Sequence, residues 1–178
     1  MWQPSGWRIV TSAGASFAVA TGIPVLQIGG GFGAIYIAST KGGDVHTFRF
    51  EAGSGGIGAG LPVSIAGSTA DFPGGGVGII MARIGGALAT NLPPPRGVAK
   101  LNLRDLAGHC QIAVMNFAVQ AGGAVSGAEI LFNLDSWAVD PIAARDHCRA
   151  RGVCWGTSLG FQAGADCTVY RGRLRLLS

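Results

Sequence analysis

Charge is scarce in this chain. Only 12 per cent of the residues are charged, about half the usual share of roughly 25 per cent. Together with 48 per cent hydrophobic residues, this excludes a disordered chain, which needs high charge and few apolar groups. A Gly-X-Y period is missing despite 31 glycines in 178 residues, which excludes a collagen-like helix. The opening residues, MWQPSGWRIV, contain no basic segment followed by an apolar one. The expectation is therefore a protein made in the cytoplasm without a signal peptide. No CxxC pair occurs among Cys110, Cys148, Cys154 and Cys167, so zinc-finger spacing is absent. The remaining mixed set, His109-Cys110, His147-Cys148 and Cys154, is a poor ligand group, because adjacent residues of a strand point to opposite faces. Neither a metal nor a cofactor is expected. The thiols are expected to be reduced where the protein is made; after export, three disulfide pairings remain open.

What is abundant is glycine beside good strand formers. Glycine costs backbone entropy and buries nothing, so something must approach the backbone closely or the chain must bend there. The segment FGAIYIASTKGGDVHTFRFE (residues 32–51) reads as a hairpin, with its turn at Lys41-Gly42-Gly43-Asp44, since glycine accepts the positive φ that such turns need. In its second strand His46, Phe48 and Phe50 share one face, while Thr47, Arg49 and Glu51 share the other. Further on, Gly56, Gly58 and Gly60 fall on one face of an extended chain. In a helix Gly56 and Gly60, like Gly123 and Gly127, would stand in GxxxG spacing. Either way, a backbone is approached at short range.

Elsewhere WRIVTS and ASFAVAT read as strands flanking a turn at Ala13-Gly14, and PVLQI as a further strand. PGGGVGIIMARIGGALA (73–89) fits either a strand or a small-residue helix. NLPPPRG (91–97) reads as a rigid connector. Short helices are expected near 101–107 and 141–151, the second with Asp140 as N-cap and Gly152 as the stop. VCWGTSLGFQ and DCTVYRGRLRLL read as a terminal hairpin, with Arg171, Arg173 and Arg175 on one strand face. Two uncharged runs, 9–40 and 106–128, are long enough to consider as membrane helices, which need about 20 apolar residues. Pro24 and Gln27 interrupt the first, and His109, Gln111, Asn116 and Gln120 the second. Both look more like glycine-rich strands, or conditional membrane segments, than constitutive transmembrane helices. The fold expected is a single domain over 1–178, all-β or mainly β: a glycine-rich barrel or sandwich with one or two short helices.

Two short motifs suggest chemistry. Gly156-Thr157-Ser158-Leu159-Gly160 matches GxSxG, but a nucleophile elbow needs a following helix and a later histidine, and no histidine follows His147. Gly29-Gly30-Gly31-Phe32-Gly33-Ala34 matches a relaxed dinucleotide fingerprint, but leads into the β-branched IYIAST rather than a helix start. No catalytic residue is expected, with Ser158 the remote alternative. Net charge is +4 and arginine clusters late, which favours anionic surfaces. Basic and aromatic residues do not interleave, so nucleic acid is not an expected partner.

Three stretches together resemble a group of glycine-rich bacterial proteins. They are VHTFRFEAGSGGIGAGLP, FPGGGVGIIM and DLAGHCQIAVMNFAVQAGGAVSGAEILFN, within residues 45–133. The pattern is similar to that of small antibacterial effectors delivered by type VI secretion, some of which act on membranes. The resemblance implies contact-dependent secretion, a secretion-tube carrier, an immunity protein and a target-cell membrane. The function expected is then a membrane-acting toxin that forms pores and assembles as a homo-oligomer in lipid. Gly56, Gly58, Gly60, Gly123 and Gly127 would make close contacts, and Arg171, Arg173 and Arg175 would face anionic lipid. The alternative is a soluble β-barrel that binds an apolar ligand or a glycan, or a structural protein, with Trp2, Trp7, Trp137 and Trp155 lining a site.

Overall fold

A computed structural model describes residues 2–20, 26–60, 70–83, 101–119, 123–135, 143–159 and 164–177. Eight antiparallel strands close into a barrel. They are β1 (Trp2–Ala20), β2 (Leu26–Ser39), β3 (Val45–Gly60), β4 (Ala70–Arg83), β5 (Gly108–Val119), β6 (Gly123–Leu134), β7 (Cys148–Leu159) and β8 (Gly164–Leu176). Around the barrel the order is β1-β2-β3-β8-β5-β6-β7-β4, with β4 returning to β1. The mainly β expectation holds, and of its two forms the barrel is the one adopted.

The β2–β3 hairpin turns where the glycine pair stands. Gly42 and Gly43 take φ of 89° and 114°, and the Gly42 amide donates to the Ser39 carbonyl at 3.2 Å. Phe48 and Phe50 are buried, while Arg49 and Glu51 are exposed and ion-paired at 3.1 Å. The alternation read from the sequence thus sets the faces of this strand.

Eight strands enclose a lumen just wide enough for side chains to fill. At the end holding both chain termini it is filled. Ile9, Ile37, Phe48, Phe132, Tyr170 and Leu174 are all essentially inaccessible, within one apolar cluster. The segment before β5 closes this end. Its 3-10 turn, Leu103–Leu106, places Leu106 in the same cluster. The Trp7 indole Nε1–H donates to the Leu101 carbonyl at 2.7 Å, tying the closing segment to β1.

Several sequence expectations are corrected. No turn forms at Ala13-Gly14; β1 runs unbroken through both residues, with its ladder irregularity between Ile9 and Thr11. β7 and β8 are both strands but do not pair. β7 lies between β6 and β4, and β8 between β3 and β5. The two expected short helices are single 3-10 turns, Leu103–Leu106 and Ala143–His147, and Gly152 lies inside β7. The ambiguous 73–89 segment is strand as far as Arg83. Asp140, Pro141, Trp137, the 91–97 connector and residues 84–89 lie outside the described residues. Most of 106–128 is strand, in β5 and β6. Among the described residues no helix is long and apolar enough to cross a membrane.

Candidate membrane-facing surface

A strand alternates its faces with period two, and residues directly opposite across a ladder share a face. Closed barrels therefore carry one inner and one outer parity on every strand. The filled end shows which is which. On β8, Tyr170, Gly172 and Leu174 are buried, while Arg173 and Arg175 are exposed. On β7, Ala150, Gly152 and Cys154 are buried and Arg149 is exposed. At this end the barrel is built like a soluble protein, apolar inside and charged outside.

Apolar residues also stand on the outer parity, two of them, Phe32 and Ile79, directly opposite the charged Glu51 and Arg8. Four large apolar side chains stand exposed on the outer surface: Phe32 (58 per cent), Ile79 (61), Met115 (46) and Trp155 (62). The ladders extend this face. Cys167 lies opposite Met115, and Ala165 opposite position 117. Ala15 lies opposite Phe32, and positions 17 and 19 pair with 30 and 28. By register, then, the outer parity of the glycine-rich end holds Phe17, Val19, Leu26, Ile28, Ile57 and Phe117, with alanine, glycine and valine between them.

The inner parity of the same end is the converse. It holds Ser12, Gly14 and Ser16 on β1, Gln27, Gly29 and Gly31 on β2, and Ser54 with Gly56, Gly58 and Gly60 on β3. On the opposite side it holds Asn116, Ser126, Ser158, Asp166 and Thr168. The described side chains are apolar inside and charged outside at the closed end, while toward the glycine-rich end Met115, Trp155 and Cys167 stand exposed on the outer parity.

The residues singled out from sequence fall into distinct places. Gly56, Gly58 and Gly60 share the inner parity of β3 and pair with positions 168, 166 and 164 of β8. Gly123 and Gly127 share the outer parity of β6, so the structure does not bring the two glycine groups together. Gly127 is approached within its own barrel: a Cβ there would lie 2.7 Å from Cζ3 of Trp155, whose ring covers it from β7. Arg171, Arg173 and Arg175 share the outer parity of β8, directly continuing the Cys167–Val169 side of the apolar face. Arg171 Nε donates to Gln111 Oε1 at 2.9 Å. Arg173 stands in register between Glu51 and His109, and Arg175 opposite Arg49. Like charges placed directly opposite destabilise a ladder, and at the Arg49–Arg175 pairing the Glu51 carboxylate, 3.1 Å from Arg49 and opposite Arg173, supplies the counter-charge.

Trp2 packs on a satellite cluster with Leu131, Trp7 at the closed end, and Trp155 on the outer surface. These three tryptophans do not line one site. His109 and Cys110 take opposite parities, Cys148 sits in the satellite cluster and Cys154 in the main core; among the described residues no group of three metal-ligating side chains gathers. Ser158 and its neighbours 156–159 are ladder residues of β7. Sequence reasoning missed Phe32, Ile79 and Met115. The signal was there on β8, where one parity passes from Cys167 and Val169 straight into three arginines.

Outside the barrel, Glu129 holds the second 3-10 turn. Its carboxylate accepts from Arg145 Nε and Nη2 (2.8 Å for the latter) and also meets Arg151. Burial pushes the nearby Cys148 thiol up to about 12, and that of Cys110 in the core likewise to about 12. Both stay protonated and unreactive at neutral pH. Cys167 is the exposed thiol. Comparison of the chain with models of known protein families, with curated proteins and with solved structures finds no match.

Proposed function

We propose that the protein is an antibacterial toxin that acts on target-cell membranes through the glycine-rich end of its barrel. The observation that carries this reading is the exposure of four large apolar side chains, Phe32, Ile79, Met115 and Trp155, on the outer surface of the barrel. Exposed apolar patches of this kind mark interaction sites, and a closed barrel leaves no strand edge unsatisfied in lipid. The antibacterial role, contact-dependent secretion, a carrier and an immunity protein rest on the sequence resemblance. The activity involves no chemical step.

Pore formation, within this proposal, does not use the lumen of the folded barrel. Phe48, Phe50, Phe132 and Tyr170 fill it, and Leu106 closes its end. Conduction belongs instead to contacts between inserted copies. The first test is dye release from vesicles of phosphatidylglycerol and phosphatidylethanolamine, together with expression directed to the cytoplasm or to the periplasm of a bacterium. Release of dye and loss of membrane potential are expected. Intact vesicles at micromolar protein, with normal growth in both compartments, would overturn the proposal. A soluble binding module is the second reading, favoured by the alternating glycines Gly56, Gly58 and Gly60 along β3. It predicts ligand uptake without leakage.

A further inference from the structure

We infer that the 3-10 turn Ala143–His147 is an ion-pair clasp: it hides an apolar patch of the barrel's outer wall and uncovers that patch, with the barrel intact, when added anions weaken its ion pairs. The clasp rests on contacts within the chain, so it stands or falls apart from the membrane reading above.

Leu131 is buried where a barrel residue ordinarily meets water. It lies on the outer parity of β6, opposite Gln111 on β5 and Arg151 on β7, the face that alternation turns away from the lumen. Yet it is 1 per cent exposed. Ala144 of the turn, with Leu134, Cys148 and the half-buried Trp2, packs with it in a cluster separate from the lumen core. Burying an outer leucine in this way requires the turn to be held down.

Apolar burial within the turn is a small part of that hold, since Ala144 is its one buried residue and Arg145, Asp146 and His147 are exposed. The rest is polar. The Glu129 carboxylate on β6 accepts from Arg145 Nε at 3.0 Å and Nη2 at 2.8 Å, and also meets Arg151 on β7. Arg83 on β4 donates to the Asp146 carbonyl, and its Nη2 lies 3.8 Å from Asp146 Oδ1. The Asp135 amide donates to the His147 carbonyl at 2.9 Å. The side chains of Arg145 and Asp146 are 56 and 83 per cent exposed, and ion pairs so placed are individually weak and screened by salt. A segment held this way opens at lower free energy than the ladders around it. Opening frees Leu131 on a wall that already shows apolar groups. Next to it along the outer parity of β6 comes Glu129, opposite Val153, with the exposed Ile79 and Trp155 beside Val153. The clasp therefore sets how much apolar wall the barrel presents.

Cys148 is a natural reporter, since its thiol packs in the covered cluster and donates to the Arg145 carbonyl at 3.4 Å. Burial pushes this thiol up to about 12, so uncovering it restores reactivity as well as access. Labelling with uncharged N-ethylmaleimide at pH 8, in a Cys167→Ser background and read site by site by mass spectrometry, compares Cys148 with Cys110 in the lumen core. Raising sodium chloride from about 0.1 M to about 1 M, which shortens the screening length from about 10 Å to about 3 Å, should speed Cys148 about fivefold and leave Cys110 unchanged. The uncharged dye Nile red should brighten over the same series. Arg145→Gln, which leaves the Glu129–Arg151 pair in place, should label fast at Cys148 in both salts, and Arg145→Lys should restore part of the protection. Equal labelling of Cys148 and Cys110 at every salt, with and without Arg145→Gln, means that the turn opens only with the barrel and overturns the clasp. Fast labelling of Cys148 at low salt with Arg145 present also overturns it, because the turn is then not closed. If Arg145→Gln does not fold, the salt series decides alone. Vesicles enter none of these measurements, so the clasp and the membrane reading fail separately.

Discussion

Gly172 offers the sharpest test of how the glycines serve this barrel. It lies on the inner parity of β8, opposite Ala52 of β3. A Cβ built there would fall on the Glu51 carbonyl oxygen and lie 2.6 Å from both Cα and Cβ of Ala52. These are backbone and near-backbone atoms, so no rotamer change relieves the overlap; β8 must move away from β3. Both strands are locked into the ladder on their other sides, β3 by β2 and β8 by β5. Overpacking of this kind costs about 1–3 kcal/mol. The gain from removing a strand glycine is about 1 kcal/mol at most, so the overlap wins. Gly172→Ala should destabilise by about 1–2 kcal/mol net, and for a chain of this size about 1 kcal/mol moves the melting temperature by roughly 2–4 °C. Gly53→Ala is the control. It lies next along the outer parity of β3, and a Cβ there meets nothing within 4 Å. That variant should melt at or slightly above the wild type. Thermal unfolding followed by circular dichroism, supported by urea titration, reads both. If Gly172→Ala melts as high as Gly53→Ala, close strand approach is not the reason for glycine at 172.

Gly42 and Gly43 meet no neighbour, so their cost is conformational. Valine at both forces β-branched residues to φ of 89° and 114° and should lose about 2–5 kcal/mol, read as a large fall in the urea midpoint. Thiol titration in the native state should modify Cys167 alone at pH 8, with Cys110 and Cys148 reacting only after unfolding. The pH dependence has a definite sign. Above about pH 9 the unfolded chain loses thiol protons that the folded chain keeps until about 12, so stability should fall as pH rises through that window and be flat just below it. Glu129→Gln should release the turn Ala143–His147, costing about 1–2 kcal/mol and raising amide exchange at 143–147 while the barrel core stays protected.

The legible part of the fold was whatever local chemistry decides. The Gly42-Gly43 turn and the Phe48/Phe50 face were readable because turn conformation and strand parity act over a few residues. The 3-10 turn at 103–106 was readable as something helical, but not its shortness, which follows from Leu106 having to reach the barrel core. Ala13-Gly14 misled because small residues mark turns in most chains, whereas here they lie mid-strand. The β7–β8 pairing misled because neighbours in sequence usually pair; closure instead seats β7 between β6 and β4, and β8 between β3 and β5. Which face of β8 is the outer one could not be read without the ladder. Alternation shows that Val169 and Arg171 share a face, but not that this face is the outer one.

A filled lumen also constrains how any leakage depends on dose. If ions crossed through single barrels, Phe48, Phe50, Phe132 and Tyr170 would all have to leave the interior. Each such side chain contributes about 1.5–3 kcal/mol by burial, together about 6–12 kcal/mol, comparable to the whole stability of a domain. Emptying the lumen would unfold the closed end rather than open it. Conduction between inserted copies needs no such loss, and it needs several copies in contact. Dye release from vesicles should therefore rise with a power of the bound protein density well above one, and should vanish at low density while binding persists. Leu106→Ala should thin the packing that closes the barrel end and lower the melting temperature, yet leave the release rate per bound protein unchanged within about twofold. First-order dependence on bound protein, together with faster release by Leu106→Ala, would place the path through the lumen and refute the reasoning from the filled core.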